Sequence, residues 1–198
     1  MIVIGAGGSA KDLLVVIEES KVSDLFFYDD VNLEGPSMLF DKYPILKSEE
    51  EIRKLFAKGL NSFIVAIGHP RLRAKLFNKL VELGGNPVSV ISQDITLGNY
   101  TKIAPGTAIL PGCRISNNVT IGKSCYLGVN SVFGHDCRVG EFNMFGPGAS
   151  FLGQTSVGDY CYIGANATVL PKVTLGNNVY VNAGKVVDES VPDYKTFD

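Results

Sequence analysis

The first candidate for chemistry is a histidine with a carboxylate beside it. The chain has only two histidines, and one of them, His135, is followed directly by Asp136. An imidazole with a carboxylate partner can act as a general base near neutral pH. Two simpler interpretations stay open at this point: Asp136 is present because Asp tolerates the backbone of a sharp turn, and His135 is an ordinary surface residue.

A second candidate is a glycine-rich turn near the N-terminus. Residues 5–10, with the sequence GAGGSA, follow a short apolar strand and open a helix. The backbone N–H groups of such a turn, together with the helix N-terminus, can hold a phosphate. Asp29 and Asp30 end the next predicted strand, where carboxylates can accept hydrogen bonds from ribose hydroxyls. This combination indicates a nucleotide site.

The other histidine, His69, follows Gly68 at the end of the third predicted strand. Ligands of open α/β sheets bind outside the carboxyl ends of the strands, so this turn is a candidate for ligand contact. For His69 itself we predict that the side chain caps or solvates the start of the following helix.

The first ninety residues alternate between strand and helix. Apolar runs predict strands over 2–4, 25–28, 63–67 and 87–91, and helical spacing predicts helices over 11–20, 49–56 and 72–83. This order predicts a small, parallel, Rossmann-like sheet over residues 1–90.

The rest of the chain is a repeat of six residues. An aliphatic residue or Phe recurs at every sixth position through sixteen hexads. These positions are Leu97, Ile103, Ile109, Ile115, Ile121, Leu127, Phe133, Val139, Phe145, Phe151, Val157, Ile163, Val169, Leu175, Val181 and Val187. Hexapeptide repetition is typical of a β-helix solenoid, here the triangular left-handed kind with three hexads in each turn. We therefore predict a mixed fold: the α/β Rossmann-like domain is followed by a left-handed parallel β-helix over residues 91–198.

The repeat also predicts where the corners lie. The prolines of the repeat fall two places after the aliphatic residue, where a corner needs no ladder hydrogen bond from its N–H. The next position is rich in Gly and Asn, which accept the positive φ of a sharp turn.

In this register His135 occupies an outward-facing corner, and Gly153 lies one turn later in the same column. Ala165 and Ala183 stack in the same way in another corner column. Small residues along a track beside a lone histidine indicate a long, thin ligand that lies along the backbone.

The cysteines are predicted to be core residues. Cys113, Cys125, Cys137 and Cys161 all lie four places after the aliphatic residue, in the small interior position. Cys125 and Cys161 share a column two turns apart, roughly 9–10 Å at one strand spacing per turn, which is too far for a disulfide. We expect buried thiols and no metal site.

Composition excludes several classes of protein. A net charge of −2 and 19% charged residues argue against a disordered chain and against a nucleic-acid binder. No apolar run reaches the ~18 residues that span a bilayer, and the first residues lack the features of a secretory signal. We expect a cytoplasmic protein that inserts into no membrane.

Several of these motifs occur together in one order. The glycine-rich turn, the Tyr28-Asp29-Asp30 strand end, the hexapeptide solenoid and the His135-Asp136 pair follow one another along the chain. In this combination nearly the whole chain resembles the nucleotide-sugar N-acetyltransferases that acetylate a 4-amino sugar (the bacillosamine-pathway type) and the related sialic-acid O-acetyltransferases. The resemblance implies a homotrimer with active sites between subunits and acetyl-CoA as the donor.

The resemblance also implies roles for single residues. His135 would be the catalytic base, with Asp136 raising its basicity. The implied nucleotide-sugar positions are Gly7, Gly8, Ser9, Asp29 and Asp30, with Gly68 at the same edge, and the implied coenzyme A contacts are Gly153, Ala165 and Ala183. The chain departs from the family at Ser9 and Met144, where the family often carries histidine, and after Val191-Pro192, where the usual ending is absent. The replacements at Ser9 and Met144 each remove a polar contact to the acceptor.

The leading hypothesis is an acetyl-CoA-dependent acetyltransferase that acts by direct transfer on the amino group of a nucleotide-linked amino sugar, without a metal. Two alternatives stay open: O-acetylation of a sugar or sialic-acid hydroxyl, and a non-catalytic trimeric scaffold that binds a nucleotide sugar. A carbonic anhydrase on the same solenoid needs three histidines and is rejected.

Overall fold

The computed structural model describes residues 1–20 and 22–198 and contains an α/β sheet followed by a solenoid of short parallel strands. The helices are α1 (Gly8–Glu19), α2 (Glu49–Ala57) and α3 (Pro70–Glu82). The strands of the N-terminal sheet are β1 (Ile2–Ile4), β2 (Phe26–Tyr28), β3 (Met38–Leu39), β4 (Tyr43–Leu46), β5 (Ser62–Val65) and β6 (Asn86–Pro87). They lie in the order β3-β4-β2-β1-β5-β6, and only the β3–β4 pair is antiparallel.

The N-terminal sheet departs from the prediction in two places. The pair β3 and β4 was not predicted, because Pro44 interrupts a run of only four residues that is otherwise suited to a strand. The strand predicted over residues 87–91 was wrong as a single element. Pro87 pairs with β5, whereas Val90 pairs with Ala108 of the solenoid.

Local side-chain bonds fix where two helices begin. Ser48 caps α2, since its hydroxyl accepts from the Glu51 N–H while the Glu51 carboxylate accepts from the Ser48 N–H. His69 caps α3, because its Nδ1 accepts from the Leu72 N–H at 3.3 Å. The prediction that His69 caps this helix is confirmed.

The solenoid consists of strands of two residues each. In chain order they are β7 (Val90–Ile91), β8 (Thr96–Leu97), β9 (Lys102–Ile103), β10 (Ala108–Ile109), β11 (Arg114–Ile115), β12 (Thr120–Ile121), β13 (Tyr126–Leu127), β14 (Val132–Phe133), β15 (Arg138–Val139), β16 (Met144–Phe145), β17 (Ser150–Phe151), β18 (Ser156–Val157), β19 (Tyr162–Ile163), β20 (Thr168–Val169), β21 (Thr174–Leu175), β22 (Tyr180–Val181), β23 (Val186–Val187) and β24 (Thr196–Phe197).

These strands form the three faces of a triangular prism. The first face contains β7, β10, β13, β16, β19, β22 and β24; the second contains β8, β11, β14, β17, β20 and β23; the third contains β9, β12, β15, β18 and β21. Partner residues along one face are eighteen positions apart, as in the pairing of Ile121 with Val139. The predicted left-handed hexapeptide β-helix is confirmed, and its register begins one hexad earlier, where Ile91 pairs with Ile109.

Each corner turns through a residue with positive φ, three places after the aliphatic residue. Asn118, Asp136 and Gly148 have φ values of 58°, 62° and 69°. This region costs most L-residues roughly 1–2 kcal/mol, which explains the preference for Gly and Asn. Phe142 (φ 57°) and Tyr160 (φ 58°) occupy the same position in spite of that cost.

The repeat shortens after Val187. Val191 pairs with Leu175, and Phe197 pairs with Val181, so each partner is sixteen rather than eighteen positions away. The C-terminal tail therefore continues the solenoid in a shorter final coil.

An aromatic chain connects the N-terminal domain to the solenoid. Phe63 contacts Phe77 of α3 edge to face at 5.7 Å, and Phe77 contacts Phe142 in the same way at 5.5 Å. Phe142 then stacks on Tyr160 at 5.6 Å. Phe142 and Tyr160, the two bulky residues with positive φ, thus lie at the corner between the third and first faces, where α3 packs.

A buried arginine completes this attachment. Arg73 of α3 is only 1% exposed, and its guanidinium donates to backbone carbonyls of both domains. Nε donates to Ile67 O at 2.8 Å, and Nη1 donates to Asn143 O at 2.7 Å and Ser124 O at 3.3 Å. The cation is thus stabilised by peptide dipoles, and burial lowers the pKa of Arg73 to about 10.

We expect Arg73→Met to lower the free energy of unfolding by about 3 kcal/mol or more, because it leaves several buried carbonyl oxygens without a donor. Urea denaturation followed by circular dichroism measures this change. Arg53→Met is the matched control, since Arg53 forms an exposed pair with Glu49 and its loss should cost less than about 1 kcal/mol. Equal changes in the two variants would contradict the role given to Arg73.

Candidate active site

His135 and Asp136 lie on the corner between the second and third faces, which we call the histidine corner (residues 134–137 and 152–155). His135 Nδ1 lies 2.8 Å from Asp136 Oδ2, and Asn118 Nδ2 donates to Asp136 Oδ1 at 2.7 Å. The hydrogen bonds from His135 and Asn118 hold the pKa of the Asp136 carboxyl below its usual range. An ionised carboxylate accepts hydrogen bonds only, so it selects the tautomer with the proton on Nδ1 and leaves Nε2 with a free lone pair.

Both interpretations of Asp136 agree with this geometry. Its φ of 62° is that of the whole column of turn residues, so Asp meets the backbone requirement. Asn and Gly meet the same requirement elsewhere in the solenoid, but neither offers a carboxylate to an imidazole. Asp136 therefore does more than form the turn.

The imidazole of His135 packs directly against the backbone of Gly153. A Cβ added to Gly153 would lie 2.5 Å from His135 Nε2 and 2.7 Å from its Cε1. The Gly153 carbonyl accepts from the Lys172 N–H, whereas the Gly153 N–H has no acceptor among residues 1–20 and 22–198. His135 Nε2 and the backbone of Gly153 thus lie next to each other on an exposed corner, where the His135 side chain is 63% exposed.

Ala165 and Ala183 lie on a different edge. They occupy the corner between the first and second faces, which we call the alanine corner (residues 146–149, 164–167 and 182–185). The whole second face separates this corner from the histidine corner. Within one chain the predicted coenzyme A contacts therefore do not form a single group: Gly153 adjoins His135, and the two alanines do not.

Two of the predicted nucleotide residues, Asp29 and Asp30, lie in a crevice at the carboxyl ends of β1, β2 and β5. A cavity of about 100 Å³ is lined there by Ile4, Gly5, Tyr28, Asp29, Asp30, Val31, Ile67, Leu72 and Leu76. Asp29 Oδ1 accepts from the N–H groups of Val31 and Asn32, each at 3.2 Å. The Tyr28 hydroxyl donates to Asp30 at 2.8 Å, and burial with this bond raises the Tyr28 pKa.

Gly7 and Gly8 lie at the start of α1, and a Cβ added to either would meet nothing within 4 Å. Their backbone therefore faces open space beside the crevice, as a phosphate-binding turn requires.

A second cavity brings Ser9 and Met144 together, although they are far apart in sequence. It measures about 320 Å³, lies between α1 and the first face, and is lined by Ser9, Asp12, Val15, Leu110, Pro111, Tyr126, Gly128, Val129, Met144 and Pro147. Gly68 adjoins Ser9, since a Cβ there would lie 3.7 Å from the Ser9 hydroxyl. Arg73 Nη2 connects the group by donating to Gly68 O at 3.2 Å and to Met144 Sδ at 3.4 Å.

No pattern in the amino-acid sequence indicates that Arg73 is buried. An arginine in an amphipathic helix normally faces solvent, and only the packing of α3 on the solenoid buries this one. Tyr126, whose hydroxyl donates to Ser9 O at 3.2 Å, was also missed, because its position in the repeat does not reveal what covers the face.

The cysteines are buried and unpaired, as predicted. Their thiols donate to backbone carbonyls, for example Cys125 Sγ to Gly140 O at 3.2 Å. Burial raises the pKa of Cys125 to about 12 and that of Cys113 and Cys161 to about 11. Such thiols are poor nucleophiles.

Among residues 1–20 and 22–198, no group of three or more His, Cys, Asp or Glu side chains is placed to hold a metal ion. No helix in those ranges combines the length and the apolar character needed to cross a membrane.

Comparison with known proteins supports the class of protein that this fold and corner indicate. Residues 1–80 match the family model of the PglD N-terminal domain, and residues 154–189 match that of the bacterial transferase hexapeptide (six repeats). The GDP-perosamine N-acetyltransferase of Escherichia coli O157:H7 is 26% identical over 157 residues, which are 76% of this chain and 69% of that protein.

Two solved structures are similar over almost the whole chain. PerB from Caulobacter crescentus, in complex with CoA and GDP-perosamine, has a TM-score of 0.88 and 29% identity, covering 98% of this chain and 91% of that one. WeeI from Acinetobacter baumannii AYE has a TM-score of 0.86 and 25% identity, covering 98% and 94%. Like these relatives, the chain is an acyltransferase, and its two parts match the PglD N-terminal domain and the transferase hexapeptide repeat. The resemblance drawn from its motifs is confirmed.

We expect the thiols of the native protein to be inert to a disulfide reagent such as Ellman's reagent at pH 8, because burial keeps them protonated and covered. The absorbance of the released thiolate measures the reaction. In denaturant all four cysteines should react within minutes. Rapid reaction of any cysteine in the folded protein would show that the solenoid opens around that residue.

Proposed function

We propose that the protein transfers the acetyl group of acetyl-CoA directly to the amino group of a nucleotide-linked amino sugar. One observation carries this proposal. The Nδ1–Asp136 hydrogen bond leaves the lone pair of His135 Nε2 free, and Nε2 lies against the backbone of Gly153. The likeness to a protein solved with CoA and GDP-perosamine over 98% of this chain supports the choice of both substrates.

His135 acts as the general base. Its Nε2 takes the proton that the acceptor nitrogen loses on attacking the thioester carbonyl, and the Asp136 carboxylate stabilises the imidazolium that results. The sulfur of coenzyme A then leaves with the electron pair of its bond to the carbonyl carbon and takes up a proton, so that a thiol and an amide are formed.

Gly153 supports the same step with its backbone. Its N–H lacks an acceptor within the described residues, and it adjoins the imidazole edge. A free donor at this position is suited to an oxyanion that develops on the carbonyl oxygen.

We place the thioester at the histidine corner, because Gly153 lets the imidazole lie directly against the backbone and the His135 side chain is 63% exposed there. Bound acetyl-CoA supplies the acetyl group and the thiolate leaving group. We place its extended arm between the histidine corner of one subunit and the alanine corner of another, where Gly153 would face Ala165 and Ala183. This arrangement implies a homotrimer.

The acceptor binds in the N-terminal domain, over residues 1–90, and the solenoid over residues 91–198 carries the base. Asp29 and Asp30 would bind the nucleoside, Gly7 and Gly8 the phosphates, and Ser9, Gly68 and Met144 the sugar. The cavity beside Met144 lies on the first face, and the histidine corner is the edge opposite that face. The acceptor of one subunit would therefore react at the histidine of a neighbour, which again implies an oligomer.

We expect His135→Ala to lower the turnover number by about 10²–10⁴-fold, the usual contribution of a general base. Coenzyme A release is measured from acetyl-CoA with a panel of nucleotide amino sugars, nucleotide sugars without the amine, and sialic acid. Light scattering should show that the variant remains a trimer. Wild-type turnover in a correctly assembled variant would remove His135 from the mechanism.

The same panel separates the three hypotheses. Release with amine-bearing acceptors alone supports N-acetylation. Coenzyme A release with hydroxyl acceptors would instead support O-acetylation. Binding of a nucleotide sugar without coenzyme A release would support the non-catalytic scaffold.

Gly153→Ala tests whether turnover requires the imidazole to lie against the backbone of Gly153. The added methyl group would overlap His135 Nε2, the movable end of a side chain, so the fold should survive while turnover falls by about tenfold or more through misplacement of the base. Thermal melting of Gly153→Ala beside the wild type is the stability control. Unchanged turnover in Gly153→Ala, with a normal melting temperature, would contradict the proposed geometry.

A further inference from the structure

The second face of the solenoid has no role in the mechanism above, although both of its edges do. The histidine corner lies along one edge of this face, and the alanine corner lies along the other. Each strand of the face turns one residue outward. These residues are Thr96, Arg114, Val132, Ser150, Thr168 and Val186. The face thus connects the two edges that the proposed function brings together from different copies of the chain.

The second face exposes apolar side chains. Val132 is 36% exposed and Val186 is 56% exposed. A groove of about 240 Å³ beside Val132 reaches Gly134 of the histidine corner. The outward residues of the third face, by contrast, are all polar or charged: Lys102, Thr120, Arg138, Ser156 and Thr174. The second face is therefore the better suited of the two to contact another protein surface.

The edges of the solenoid differ in the same way. Two places after each aliphatic residue, the edge that contains the alanine corner carries only uncharged residues: Gln93, Pro111, Val129, Pro147, Ala165 and Ala183. The same position on the edge between the third and first faces includes Lys123, Glu141 and Asp159. Charged residues are depleted from the centre of protein interfaces, so the alanine edge also favours contact with a second copy.

The proposed assembly decides how this face is oriented. In a closed trimer, the contact of one histidine corner with the next alanine corner is repeated three times around one axis. Each copy then uses both edges of its second face, so the face turns either toward the axis or away from it. The edge opposite the face is occupied by α3, since Phe77 packs there on Phe142. That edge is not free to lie at the axis, and the second face therefore turns inward.

We propose that the second face lines the threefold axis of the trimer, where it meets the second faces of the other two copies. This inference rests on the proposed function and deepens it, because it names the surface that holds each histidine corner against the alanine corner of its neighbour.

Arg114 is the charged residue among the outward positions of this face. Three copies of its guanidinium would approach one another near the axis. Arg114 Nη2 lies 3.8 Å from Asp94 Oδ1, and Nη1 donates to Cys113 O at 3.2 Å. Because Asp94 belongs to the same chain, each copy brings its own counter-charge, and a ring of three such pairs is neutral overall.

Cysteine cross-linking tests which face lies at the axis. Ser150→Cys places a thiol near the middle of the second face, and Ser156→Cys places one at the same outward position of the third face. The native cysteines are buried, so a short bismaleimide should react with the added thiol. We expect it to join most Ser150→Cys chains into covalent dimers on a denaturing gel and to leave Ser156→Cys chains single.

Two results would overturn the inference and leave the proposed function intact. One is cross-linking of Ser156→Cys that matches or exceeds that of Ser150→Cys. The other is cross-linking of neither variant while light scattering shows a trimer. A monomeric wild type would overturn both, since the proposed site needs two copies. Thermal melting of both variants verifies that each one is folded.

Arg114→Glu tests the same surface through its charge. The reversal would add three carboxylates to the three of Asp94 at the axis, and like charges at an interface are costly. We expect the dissociation constant of the trimer, measured by analytical ultracentrifugation, to rise about 100-fold or more. Lys102→Glu makes the same change of charge on the third face and should alter this constant by less than about threefold. Equal changes in the two variants would contradict the proposed orientation.

Turnover of the dissociated Arg114→Glu variant separates assembly from chemistry. The variant keeps His135 and Asp136, so its turnover should fall in proportion to the fraction of trimer. Full turnover in a folded monomer would remove assembly from the proposed mechanism, while the dissociation itself would still support the second face as the contact.

Discussion

In every coil of the solenoid the chain turns through a residue in the left-handed region, and this turn recurs every six residues. This turn determines the direction in which every other residue of the hexad points. The aliphatic residue and the small residue of each hexad point inward, where Phe133, Phe145 and Phe151 pack against each other. The residue before the turn points outward, and at one corner that residue is His135. A shift of the register by one position would move the aliphatic residues out of the core.

The attachment of the N-terminal domain departs from this regular pattern. Phe142 and Tyr160 take the left-handed conformation at a cost that Gly or Asn would avoid, and in return they extend an aromatic contact from the sheet to the solenoid. Arg73 crosses the same boundary and donates to carbonyls on both sides. These contacts fix the N-terminal sheet against the first face, and the cavity that α1 forms with that face depends on them.

The groups that would carry out the reaction are distributed over the molecule. The base and its carboxylate partner lie on the histidine corner, and the nucleotide cavity lies in the N-terminal domain. The two alanines lie on the alanine corner, between the first and second faces. No single chain brings all of them together. Assembly is therefore part of the proposed mechanism, since neighbouring copies would supply the missing side of each site.

The amino-acid sequence by itself determined the solenoid, its register, the positive φ at Asp136, the burial of the cysteines and the exposure of His135. Each follows from a short period or from adjacent residues, so local stereochemistry is sufficient. Only the tertiary structure decided that Arg73 is buried, that Ser9 meets Met144, that Val90 belongs to the solenoid and that β4 joins the sheet. These features depend on contacts between distant parts of the chain, and no local pattern specifies which surfaces pack together.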